Sequence, residues 1–229
     1  MLIKNSTIEI PEGFFNYSGN IILLHFEFNH IINFKPQDFN GLDNLFHLEL
    51  RNNSLTNLNP NIFKYTRKIE KLDLGYNKLQ MLHEDIFKDL ENLKVLALNN
   101  NNLSSLPEKL LLNNIKLLIL KINENRHLLI LSEKLTTNNV NLSFLEARNC
   151  GLINISVNLF KNSFILKNIY LDKNNITNLT SNIFQGVVRL EYLNLSSNNL
   201  NILLPGIFDS NRELETIDLS LNRLKYINW

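Results

Sequence analysis

One cluster of residue types suited to chemistry stands near the N-terminus. His25, Glu27, His47, Glu49 and Asp73 bring imidazoles and carboxylates into the first third of 229 residues. Such groups ligate zinc or move protons when they converge. Cys150 supplies the sole thiol, so no internal disulfide can form. Neither set carries the rest of what its chemistry demands. A metal site needs an ordered outer shell around its ligands, and a reactive thiol needs a base in an electropositive, accessible setting. No nucleophile elbow, phosphate loop or zinc-ligand spacing occurs. The acidic and histidine cluster therefore reads as solvated polar surface, with a pH-sensitive contact as the alternative. Cys150 reads as a buried, inert thiol. No enzymatic activity, metal or cofactor is implied.

The elements that position these residues are set by asparagine. Asn5, Asn29, Asn53, Asn77, Asn101 and Asn125 are spaced 24 residues apart, the interval slips by one to Cys150, and it resumes through Asn174, Asn198 and Asn222. Each rung has the same apolar frame, as in Leu45-x-x-Leu48-x-Leu50-x-x-Asn53-x-Leu55-x-x-Leu58, with Phe63 beyond it. This is the signature of a leucine-rich repeat. It predicts an α/β-class leucine-rich repeat solenoid, a horseshoe with a parallel β-sheet on the concave face and mostly irregular or 3-10 convex segments. One domain is expected over residues 1–229: a partial first repeat 1–20, eight complete repeats 21–213, and a truncated last repeat 214–229, without caps.

Alternation along each strand sends leucines inward and their neighbours outward. The inward column is Leu24, Leu48, Leu72, Leu96, Leu120, Leu145, Ile169, Leu193 and Ile217. A second core spine runs through Phe15, Phe39, Phe63 and Phe87, passes to Leu111 and Leu135, and returns at Phe160, Phe184 and Phe208. The extra residue after Asn125 fits either Arg126–Leu131 or Thr136–Val140, where an outer loop absorbs it.

The outward residues form the concave wall, the usual binding surface of a solenoid. Its middle carries Val95, Ile119, Lys121, Phe144, Glu146, Arg148, Tyr170, Asp172 and Tyr192. Aromatic residues beside arginine are enriched at interface hot spots, so this stripe is the candidate protein-binding patch. Scattered surface apolar residues are the plainer alternative.

Net charge is +1 with no like-charge block, so no nucleic-acid footprint is visible and a protein ligand is expected. No apolar run approaches the ~18 residues of a membrane span. No signal peptide precedes the repeats, which keeps a cytoplasmic scaffold or adaptor open as the alternative. Asn-x-Ser/Thr recurs, with Asn16, Asn52, Asn102, Asn154, Asn175, Asn178 and Asn194 as glycosylation candidates. It occurs at Asn5 and Asn141 as well. This abundance favours an extracellular or cell-surface location. A homo- or hetero-dimer stays open among the expected partners.

The 24-residue length, with phenylalanine after the variable segment as in Leu179-Thr180-Ser181-Asn182-Ile183-Phe184, resembles the "typical" subfamily of leucine-rich repeats. That resemblance implies an animal extracellular protein: a Toll-type receptor ectodomain, an adhesion protein or a proteoglycan. The opening Lys4-Asn5-Ser6-Thr7-Ile8-Glu9-Ile10-Pro11 is similar to the first repeat of insect extracellular proteins, including mosquito leucine-rich immune factors and chaoptin-like adhesion molecules. Those relatives imply protein ligands in innate immunity, receptor signalling or adhesion. Cysteine caps usual in such proteins are missing here, and the expectation is a fragment of a longer protein.

Overall fold

The computed structural model describes residues 10–227. The Asn5 rung, most of the opening motif and Trp229 lie outside the described residues.

Short strands form wherever the alternating x-Leu-x-Leu stretch occurs, each three residues long. Nine of them make one parallel sheet in chain order: Leu23–His25, His47–Glu49, Lys71–Asp73, Val95–Ala97, Ile119–Lys121, Phe144–Glu146, Asn168–Tyr170, Tyr192–Asn194 and Thr216–Asp218. Their register matches the inward column, with Leu48 beside Leu72, Leu120 beside Leu145, and Leu193 beside Ile217. Most of these leucines are fully buried, each worth ~1.5–3 kcal/mol relative to an exposed side chain. The column loosens only at its ends, Leu24 and Ile217.

Asparagine closes each coil by satisfying backbone groups the turn would orphan. Asn77 Nδ2 donates to the carbonyls of Leu50 (3.0 Å), Leu74 (3.1 Å) and Gly75 (3.2 Å), and its Oδ1 accepts from Leu55 N–H (3.0 Å). The residue before each rung turns left-handed, at Phe28, Asn52, Tyr76, Asn100, Glu124, Asn149, Lys173, Ser197 and Leu221. Non-glycine residues rarely hold that conformation, so the rung's hydrogen bonds hold it nine times over.

The extra residue sits between Asn125 and Leu128, the first of the two expected places. Leu128 takes the buried position that Leu79 and Leu103 hold in regular repeats, one residue later than they do. The next segment forms a 3-10 helix at Glu133–Thr136, begun by Ser132, whose Oγ accepts from Lys134 N–H at 3.3 Å. It is the one helix among the described residues. The shift corrects the second spine. Phe39, Phe63 and Phe87 stack at 6.1–6.5 Å and Phe160, Phe184 and Phe208 at 5.7–6.1 Å. Between them the phenylalanine position passes through Leu111 to Thr136, not Leu135. Thr136 is buried and its hydroxyl donates to Leu159 O at 2.7 Å. Leu135 fills the preceding core position, that of Ile62 and Ile86.

A second asparagine series was not anticipated. Asn114, Asn139 and Asn211 are buried on the outer side, and each donates twice to carbonyls of the previous coil, as Asn114 does to Phe87 O (3.0 Å) and Leu90 O (2.8 Å). Leu42, Thr66, Leu90, Ser163 and Val187 hold that position in other repeats, which hides the pattern in the sequence.

Candidate protein-binding surface

The outward residues occupy two columns on the concave sheet. Val95, Ile119, Phe144, Asn168 and Tyr192 lie in register along one, and Ala97, Lys121, Glu146, Tyr170 and Asn194 along the other. The aromatic residues therefore zigzag. Tyr170 lies across the columns from Phe144 (5.2 Å between centroids) and from Tyr192 (4.8 Å), both pairs tilted. All three are half-buried by one another rather than open. This packing fixes their rings in advance of any partner, which lowers the entropy lost on binding.

Cations frame the rings. Arg148 places its guanidinium 4.2 Å from the Tyr170 centroid, and Lys121 Nζ lies 5.8 Å from that of Phe144. Such contacts add ~0.5–2 kcal/mol depending on exposure. Arg148 Nε is also 3.3 Å from a carboxylate oxygen of Glu146 and of Asp172. Its N–H direction suits neither as a hydrogen bond, so these contacts are Coulombic. Asp172 is buried, and the arginine offsets its charge. The nine stripe residues are thus neighbours from Val95 to Tyr192, with Asp172 buried among the eight that reach the concave surface.

The N-terminal cluster is also brought together. His25 and His47 meet edge to face at 5.7 Å, His25 Nδ1 approaches Glu27 at 3.3 Å, and His47 contacts Glu49, which Lys71 pairs at 3.4 Å. Burial pushes the Asp73 carboxyl up from its ordinary value, Gly75 N–H opposes this, and the Glu49 carboxylate adds to it. Among the described residues no three histidine, cysteine or acidic side chains converge as a metal site. The binding candidates expected from the sequence leave out Arg51, a concave-face residue whose guanidinium lies between Phe28 (6.0 Å) and Tyr76 (5.4 Å). Both rings stand on the left-handed positions before the rungs, a column the strand pattern does not mark. Between this region and the aromatic patch lies a shallow depression of 360 Å³, floored by Ala97 and bordered by Arg51, Lys71, Asp73 and Lys121.

Cys150 is fully buried, and burial pushes its thiol up to about 12. Of the glycosylation candidates, Asn16, Asn102, Asn154, Asn175 and Asn178 are exposed, whereas Asn52 and Asn194 are half-buried. Asn194 Oδ1 accepts from Ser196 N–H (2.9 Å) and Oγ (2.7 Å) beside Tyr170.

Sequence comparison supplies the family. The leucine rich repeat model matches residues 47–96 and 165–224, the segments where strand, rung and spine are most regular. The chain is built of leucine-rich repeats. Solved structures of the same fold span nearly its whole length. The Toll–Spatzle complex of Drosophila superposes with a TM-score of 0.78 at 24% identity, covering 96% of this chain and 32% of that one. The TLR13–ssRNA13 complex gives 0.82 at 23%, covering 90% and 29%. The ectodomain of the Arabidopsis thaliana receptor kinase GASSHO1/SCHENGEN3, in complex with CASPARIAN STRIP INTEGRITY FACTOR 2, gives 0.73 at 26%, covering 88% and 24%. The leucine-rich repeat protein thus spans about a third or less of each of these chains. No curated protein matches its sequence. The neighbours include complexes with proteins and one with RNA, so the fold alone does not select a ligand class and the expected exclusion of nucleic acid gains no support. Among the described residues no helix is long and apolar enough to cross a membrane.

Proposed function

We propose that this chain is a non-enzymatic recognition module that binds a protein ligand on its concave face, within an extracellular receptor, adhesion or innate-immune protein. The observation that carries this reading is the preorganised zigzag of Phe144, Tyr170 and Tyr192 with Arg148 stacked on Tyr170. Large aromatic rings fixed beside an arginine are the residue types that dominate binding energy at protein interfaces. Net charge near zero gives no long-range attraction for a polyanion, which favours a protein over a nucleic acid.

The test uses the immobilised chain to capture proteins from extracellular fluid, in parallel with Phe144→Asp and Tyr170→Ala variants shown by thermal melts to be folded at the assay temperature. Proteins retained by the parent and lost by both variants support the patch. An identical set retained by all three removes it. Location is tested separately: secretory expression with glycans attached at exposed Asn102 or Asn175 fits an extracellular protein, and empty sites throughout favour the intracellular scaffold.

A further inference from the structure

A second surface lies on a different face, along the edge where the outer segments turn back into the strands. Fourteen residues beyond the rung, or fifteen in the repeat with the extra residue, stand Ile115, Val140, Phe164 and Val188. They are 53%, 46%, 52% and 42% exposed. Repeats on either side place charge at the same position: Asp43, Arg67 and Glu91 before the stripe, and Arg212 after it. Four consecutive coils thus present a row of open apolar side chains about 5 Å apart, where a solvated edge needs none. Contiguous exposed apolar surface of this kind marks an interaction site.

The charges at the two ends of the row identify the occupant. We infer that a second copy of this chain covers the stripe, antiparallel, about a twofold axis between Val140 and Phe164. That operation sets Val140 against the partner's Phe164 and Ile115 against the partner's Val188. Beyond them it sets Glu91 against the partner's Arg212, and Lys88 against the partner's Asp209. Glu91, Lys88, Asp209 and Arg212 are all exposed, and none forms an ion pair with a described residue of its own chain. An isologous interface requires this self-complementarity, since each patch must match its own reverse. Apolar residues in the centre with opposite charges at the rim is also the usual anatomy of an interface. One like-charge approach results, Lys116 near the partner's Arg189, and Lys116 Nζ is held back by Asn92 Oδ1 at 2.8 Å. The concave wall stays open in such a dimer, so this inference stands apart from the ligand reading.

Asn141 adjoins Val140 within an Asn-Leu-Ser site, and a glycan there would cover the stripe. Sedimentation equilibrium is therefore run on the 229-residue chain produced without N-glycosylation. The parent is expected to dimerise at micromolar concentration. Glu91→Arg and Arg212→Glu should each weaken the dimer by roughly tenfold or more, and the double variant should restore it, the signature of a direct pair. Phe164→Asp should give monomer. A parent that stays monomeric at high micromolar concentration overturns the inference. So does a dimer indifferent to the charge reversals, whatever Phe164→Asp does to folding.

Discussion

Leu128 donates its backbone N–H to the carbonyl of Cys150 at 3.1 Å, and this contact joins the chain's two irregularities into one. In regular repeats the equivalent N–H is accepted by the rung asparagine, as Leu103 N–H is by Asn125 Oδ1 at 3.1 Å. Cysteine has no such acceptor. The extra residue before Leu128 lets the N–H reach the carbonyls of Asn125 and Cys150 instead, and the thiol keeps the donor half of the rung by approaching Ile122 O at 3.2 Å. Gly151 completes the fit, because a Cβ there would lie 2.4 Å from Arg126 O.

Burial in this setting fixes the chemistry of Cys150. With its thiol pushed up to about 12, the group stays protonated through pH 8 to 9, and only thiolate reacts with disulfide reagents. Native protein at pH 8 is expected to show negligible modification by a chromogenic disulfide, and denatured protein one equivalent. Rapid labelling of the native chain would contradict the placement of Cys150 in the rung.

What the sequence made legible followed from side-chain type at a fixed interval. Leucine alternation determined the nine strands and their register, and the concave columns with them. Asn77 and its equivalents stood out because every regular coil needs both a donor and an acceptor there. The site of the extra residue was not legible, since Arg126–Leu131 and Thr136–Val140 both suit an outer turn and only the burial of Leu128 decides between them. The patch was read as exposed aromatics. The half-burial of Phe144, Tyr170 and Tyr192 arises from contacts between columns, which a residue-by-residue reading cannot weigh.

The asparagine rungs should be unequal in strength. Asn77 is buried and makes four backbone hydrogen bonds, whereas Asn222 is half-buried in the last rung. Alanine at position 77 orphans buried backbone groups at ~1–3 kcal/mol each in the worst case. Asn77→Ala is therefore expected to cost roughly 3 kcal/mol, and Asn222→Ala less than half as much, because water reaches its partners. Thermal melts of the two variants check this. Equal losses would mean that solvent access does not set the rung's contribution.

Asp73 gives a pH dependence of known sign. Its folded-state carboxyl is raised, chiefly by burial. The folded state therefore holds the proton more tightly than the unfolded chain. The associated stability is complete below the ordinary carboxylate range and is lost as pH rises through the raised value. Asp73→Asn removes that loss while keeping an Oδ1 to accept from Gly75 N–H, a contact of 2.8 Å in the parent. The variant is expected to melt roughly 1–2 °C higher than the parent at pH 7 and to coincide with it near pH 3. A gain that persists unchanged at pH 3 would assign the effect to something other than ionisation.

Arg148 has a structural duty that must be separated from any part in binding. Its guanidinium stacks on Tyr170 and its Nε lies 3.3 Å from the buried Asp172 carboxylate. Removing one partner of such a pair leaves the other charge uncompensated, and that penalty exceeds the value of the pair itself. Arg148 is itself about a third exposed, so screening reduces the effect. Arg148→Ala is expected to lower stability by roughly 1–2 kcal/mol at neutral pH and low salt. Adding Asp172→Asn should recover most of that, since the amide carries no charge to strand. Chemical denaturation of the two variants provides the comparison. If the double variant is no more stable than Arg148→Ala, then packing of the guanidinium on Tyr170, rather than charge compensation, is what holds this part of the wall.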